Sequence, residues 1–205
     1  MKFAKFISYF FHPINFSIIG AMLYFLFFPK YIYKPLEHTI LIVLFLGTYL
    51  FPILLLFLMR RFGLIHGYHM ATIEERKFPT LLFISISLFM GYWLYKTTVV
   101  NLLALFYFGY GVCLIASYIL LYLNQKISLH TAAIGGLIGF LIYYSYYYQI
   151  NLIALVAFFF ILSGIIASSR LRLKAHTVRE VFLGFFVGLI SQFMLFFIYF
   201  TLYKI

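Results

Sequence analysis

Short polar interruptions divide the chain into long apolar runs. Residues 13–29, 39–59, 80–95, 97–123, 129–148, 150–168 and 181–203 contain no Lys, Arg or Glu. Each run is close to the roughly 20 residues that a helix needs to cross the hydrocarbon of a bilayer. The runs are continuously apolar, whereas barrel strands alternate. The pattern therefore predicts an all-α polytopic transmembrane helix bundle of six or seven spans, one domain over residues 1–205. Seven crossings require residues 80–123 to split into two helices hinged near Lys96 and Asn101. Ahead of the first run, Lys2, Lys5, Tyr9 and His12 recur at helical spacing opposite Phe3, Phe6, Ile7 and Phe10, until Pro13 interrupts. These residues predict a short amphipathic helix at the membrane interface, and they would also serve as an extension of the first span. Pro29, Lys30 and aromatic residues follow that span in place of a small-residue cleavage site, so it is expected to stay in the chain.

Composition strengthens the membrane reading. The chain is 66% hydrophobic and 9% charged, with mean hydropathy +1.08, more apolar surface than a soluble domain of 205 residues can hide. The net charge of +11 raises nucleic acid as a partner. The basic residues, however, lie in short segments between spans, where they fix topology or meet headgroups. Membrane lipids are the expected partners, and no nucleic acid is expected. Cys113 is alone, so neither a disulfide nor a thiolate metal cage can form within one chain. All four acids are Glu; without Asp, the Asp-rich magnesium sites of membrane prenyltransferases and alcohol phosphatidyltransferases are excluded.

If each run crosses once, the N-terminus and residues 60–80, 124–128 and 169–180 share one face. That face holds eleven of the fifteen basic residues, against Lys30, Lys34, Lys96 and Lys204 opposite. Positive-inside bias would make it cytoplasmic, but residues kept to bind an anion would give the same imbalance. Residues 169–180 concentrate Arg170, Arg172, Lys174, His176, Arg179 and Glu180. Ionisable groups beside a bilayer are costly and mark function.

These residue types suit phosphoryl chemistry. Glu180 lies one helical turn after His176, where a carboxylate can fix the imidazole tautomer and stabilise the cation formed on attack. The planar, multi-donor head of Arg170 suits phosphate oxygens. Ser128 starts an apolar run, so its hydroxyl and the helix N-terminus form an anion site, and His130 just inside can act as general acid. Thr177 and Glu180 also have capping-box spacing. Arg172, Lys174 and Arg179 read as headgroup anchors, His12 and His38 as interfacial polar residues, and the tyrosines of 143–148 as an aromatic belt. Gly135, Gly136, Gly139, Gly184 and Gly188 read as close helix contacts.

The spacing Ser169-Arg170, five residues, His176, three residues, Glu180 resembles the third signature of the type-2 phosphatidic acid phosphatase superfamily, with Glu in place of Asp. Ile127-Ser128-Leu129-His130 is similar to its second signature, Pro-Ser-Gly-His. His69, six residues, Arg76 keeps the spacing of its first, with His for Lys and Pro79 three residues after the arginine instead of one. The resemblance runs from His69 to the C-terminus, with the signatures in family order. It implies that His176 is the nucleophile, that Glu180 orients it and that His130 protonates the leaving group. Arg170, Ser128, Arg76 and His69 would hold phosphate. Lys77, beside Arg76, has no family counterpart and is a further phosphate-binding candidate. The substrate implied is a lipid phosphate monoester or diphosphate, cleaved without metal or other cofactor. The expected location is the bacterial inner membrane, with the site on the extracytoplasmic face. Two alternatives stand beside this reading. Departures at Leu129, Phe78 and Glu180 fit a non-catalytic member or lipid carrier that binds anionic headgroups, and His66, His69, Glu74 and Glu75 are a possible zinc set.

Overall fold

The computed structural model describes residues 1–67 and 72–203. In order, the chain forms α1 (Lys2–Phe10), α2 (Pro13–Leu26) and α3 (Lys34–Phe45). A π-helical turn, Leu46–Leu50, carries α3 without a break into α4 (Phe51–Arg61). Then follow α5 (Ile73–Lys96), α6 (Asn101–Tyr122), α7 (Leu129–Tyr148), α8 (Ile153–Arg172) and α9 (Val178–Tyr203). No strand occurs among the described residues, and every apolar run falls on a helix. His69 and Lys204 lie outside the described residues.

Local chemistry sets the boundaries. Pro13 occupies the first turn of α2, where its missing N–H costs nothing, and His12 Nδ1 accepts from the Ile14 N–H at 3.4 Å. Thr72 and Glu75 form a reciprocal capping box on α5. The hinge expected between Lys96 and Asn101 is present: Thr97 Oγ1 donates to the Leu94 carbonyl, and Thr98 turns the chain at φ 58°.

Among the described residues, five stretches are long and apolar enough to cross a membrane on their own: Lys34–Arg61, α5, α6, α8 and α9. α1 and α2, bent by 53° at Phe11–His12, would make a sixth if together they form one span. The larger sequence-based number counts α7 as a crossing. Its tyrosine-rich end lowers its hydropathy, and nearly all its side chains up to Leu141 are buried by neighbouring helices. Tyr144, expected in an interfacial belt, is buried too and donates to the Tyr24 carbonyl at 2.9 Å. The outer surface is apolar, with Leu54 and Phe57 on α4, Ile161 on α8 and Phe186 and Phe197 on α9 all exposed. Such a surface matches lipid tails.

Between helices, packing and side-chain-to-carbonyl hydrogen bonds replace the hydrophobic effect, which is absent in lipid. Tyr110 Oη donates to Ala133 O, Tyr107 Oη to Ser17 O, Ser87 Oγ to Tyr107 O and Gln192 Nε2 to Phe106 O. The most extensive seam joins α7 and α9. There a Cβ on Gly188 would collide with the Ala132 carbonyl, and one on Gly135 with the Phe185 carbonyl. The expected close helix contact is thus real at these glycines.

Gly188→Ala should therefore destabilise the protein by about 1–3 kcal/mol, the usual cost of overpacking. Gly164 of α8 has nothing within 4 Å of a built Cβ, and Gly164→Ala should be neutral or stabilise by up to about 1 kcal/mol through helix propensity. Thermal unfolding of the two variants in the same detergent checks the contrast.

Candidate functional site

The α7–α9 seam brings two helix starts together at one end of the bundle. Ser128 caps α7, its Oγ accepting from the Thr131 N–H at 3.5 Å, and its own N–H donates to the Glu180 carbonyl at 3.0 Å. Thr131 Oγ1 lies 3.0 Å from Ser128 O and 2.9 Å from Val181 O. On the facing helix, Thr177 and Glu180 close a capping box: Glu180 N–H donates to Thr177 Oγ1, and Thr177 N–H to Glu180 Oε2, each at 3.3 Å. Oε2 also accepts from His176 Nδ1 at 2.7 Å. The carboxylate therefore makes both contacts at once, capping α9 and accepting from the histidine.

His176 faces a cavity of about 940 Å³, open at this end of the bundle. Lys5, Arg60, Arg76, Lys126, Arg170 and Lys174 line it, together with His12, His130 and His176. No carboxylate is among its described lining residues. The N-terminus, the segment after α4 and the loops before α7 and α9 each contribute, as expected of segments sharing one face. Leu56, Phe83, Ile86 and Leu114 give the cavity an apolar patch, next to the hydroxyl-bearing Ser17, Thr48, Ser87, Tyr107 and Tyr110. Thr48, Pro52, Leu56 and Arg60 line it at four-residue intervals along the helix that contains the π turn.

The geometry sets the state of His176. A carboxylate oxygen can only accept, so Nδ1 carries the proton and Nε2 keeps its lone pair. Burial, with the His176 side chain 3% exposed, holds its pKa well below the ordinary 6.5. The hydrogen bond that His176 donates to Glu180 opposes this shift, and the charges of Arg170 and Arg76 add to it. Arg170 and Arg76 also act on each other, and Arg76 on Glu180. The two guanidinium groups, His176 and Glu180 thus form one electrostatic cluster. His130 Nε2 lies 3.0 Å from the Ser8 carbonyl oxygen, so it carries the proton and donates it there. Its ring meets His12 edge-on, with centroids 5.5 Å apart.

Of the sequence candidates, His176, His130, Arg170 and Arg76 converge on the cavity, with Glu180 behind His176. Ser128 does not: its side chain is wholly buried in the α7–α9 seam, off the cavity lining. Lys77 is directed elsewhere, 2.7 Å from Glu74 Oε1 and with its Nζ 4.8 Å from the Tyr122 ring centroid. His66 Nδ1 lies 2.6 Å from Glu75 Oε1. No three His, Cys, Asp or Glu side chains among the described residues converge on a metal-sized site. Ser8 and His12 on the N-terminal segment were missed as site residues. Their signal was the polar face Lys5, Ser8, His12 at helical spacing, which is turned to the cavity. No family model, curated protein or solved structure matches the chain.

The cluster fixes the direction in which the His176 titration moves. Glu180→Gln removes the group that raises its pKa and should lower it further, while Arg170→Ala should raise it. NMR titration of ¹⁵N-histidine-labelled protein reads both shifts; movement in the same direction would contradict the cluster.

Proposed function

We propose that the protein is a membrane-embedded lipid phosphatase, akin to the type-2 phosphatidic acid phosphatase superfamily, working through a phosphohistidine without metal. The observation that carries the reading is the His176–Glu180 pair at 2.7 Å, set beside Arg170 and Arg76 in a cavity lined by further basic residues and by an apolar patch. His176 Nε2 attacks phosphorus while Arg170 and Arg76 neutralise the non-bridging oxygens, and Glu180 stabilises the imidazolium formed. The bond from phosphorus to the leaving oxygen breaks, and His130, doubly protonated once the anionic phosphate is bound beside it, supplies the proton to that oxygen. His130 then takes a proton from water, whose oxygen attacks phosphorus and releases phosphate, regenerating His176. The apolar patch formed by Leu56, Phe83, Ile86 and Leu114 would receive the lipid chain.

In this reading α2 and α7 are also crossings, which brings the spans to seven, and α1 lies on the interface with Phe3, Phe6 and Phe10 toward lipid. Ser128 acts as a helix cap, and Lys77 makes no phosphate contact. The protein would sit in a bacterial inner membrane with the cavity on the extracytoplasmic face. An impermeant amine reagent applied to intact cells should then label Lys126.

Purified protein should release phosphate from a lipid phosphate or diphosphate in the presence of a chelator, and His176→Ala should lose this activity by about 10³-fold or more. Glu180→Gln should preserve the cap and the unfolding temperature while lowering turnover about 10³-fold. Neutral His176 is the active form and its pKa is depressed, so the acid limb it contributes should lie below pH 6.5. Absence of turnover on mono- and diphosphorylated lipids alike defeats the reading, and loss of activity on chelation points to a metal.

A further inference from the structure

Ser8 is the residue through which α1 reaches the site. Its hydroxyl accepts from Arg170 Nη1 at 2.5 Å, and its carbonyl accepts from His130 Nε2 at 3.0 Å, with Ser8 Oγ 3.4 Å from the same nitrogen. One serine thus holds a phosphate-binding arginine from α8 and a histidine from α7. Its own position is fixed on several sides. α1 packs along α8, Asn15 Nδ2 closes the end of α1 by donating to Phe10 O at 2.7 Å, and His12 both caps α2 and stacks edge-on against His130.

Arg170 Nε is buried and has no hydrogen-bond partner. A buried unpaired donor of a charged group is costly unless a ligand completes it. Nε–H shares an edge of the planar guanidinium with Nη2, and that edge matches two oxygens of one phosphoryl group. Because Ser8 takes Nη1 on the other edge, the side-on edge is left for the ligand. The Ser8 carbonyl can only accept, so it holds the His130 proton on Nε2 and leaves Nδ1 as the nitrogen that gains and gives the catalytic proton.

We propose that Ser8 is a positioning residue of the phosphoryl site: its hydroxyl presents the Nε–Nη2 edge of Arg170 to two phosphate oxygens, and its carbonyl sets the His130 tautomer. The inference rests on the phosphatase reading for its chemistry, but its binding consequence is measured without turnover.

The test uses the full chain in lipid nanodiscs, with orthovanadate and inorganic phosphate as probes in calorimetric titrations. Ser8→Ala should weaken orthovanadate binding about tenfold and lower kcat/KM by a similar factor, with the unfolding temperature unchanged. Ser8→Thr, which keeps the hydroxyl, should restore both to within a few-fold. Arg170→Ala should abolish binding. In wild-type protein, ¹⁵N shifts should place the neutral His130 proton on Nε2. Equal affinity of wild type and Ser8→Ala overturns the role of the hydroxyl, and a proton on Nδ1 overturns that of the carbonyl. A loss in Ser8→Ala that comes with a lower unfolding temperature and that Ser8→Thr does not restore overturns the proposal in favour of a structural serine. Weakened binding in Ser8→Ala by a wild type that hydrolyses no lipid phosphate defeats the phosphatase reading and upholds Ser8, whereas a wild type that binds neither probe defeats both.

Discussion

One oxygen of the Glu180 carboxylate, Oε2, accepts from the Thr177 N–H and from His176 Nδ1 together. The first turn of α9 and the orientation of the imidazole therefore cannot vary independently. The same residue's carbonyl accepts from Ser128 N–H, so the start of α7 is tied to the same point. In a bilayer each of these polar groups would be expensive if unpaired. Satisfying all of them at one junction forces His130, two residues into α7, and His176, one residue before the α9 cap, into a common space.

That junction needs an unusually small separation between two helices, and the glycine faces of α7 and α9 provide it. With a side chain at Gly184, the carbonyl of Ser128 could not approach as it does. The chemistry at the cavity mouth is thus set by backbone contact farther along the seam. Polar side chains on the buried faces, such as Gln192 to the Phe106 carbonyl, then hold α6 against the same pair.

Much of this was legible in the sequence for a simple reason: hydropathy records removal from water along one dimension, whether into lipid or against other helices, so every apolar run landed on a helix. The His176–Glu180 pair was legible because the two residues are only four apart in the chain, at the start of an apolar run. Ser128 was not, since a serine at a helix start reads equally as cap or as anion ligand, and the choice depends on α9 closing over it. Lys77 follows Arg76 by one residue, about 100° around a helix, so only one of the two can face the cavity. The nearby Glu74, three residues earlier, was the sign that Lys77 had a partner elsewhere. The polar face of α1 was readable, but sequence periodicity cannot distinguish water outside from a cavity within.

The π-helical turn at Leu46–Leu50 sets the phase of the helix that follows it. Thr48, Pro52, Leu56 and Arg60 are spaced by four residues, and on an ideal α-helix such a row drifts sideways by about 40° per step. A turn widened by one residue takes up part of that drift at the head of the row. Rung by rung, the row runs from the hydroxyl of Thr48, which accepts from Ser17 and donates to the Leu44 carbonyl, up to the guanidinium of Arg60. Rewinding these same residues as plain α-helix would leave the sequence of the row intact yet turn its upper rungs by about 100°, so the rim charge at Arg60 is held in place by a local irregularity in winding some three turns away.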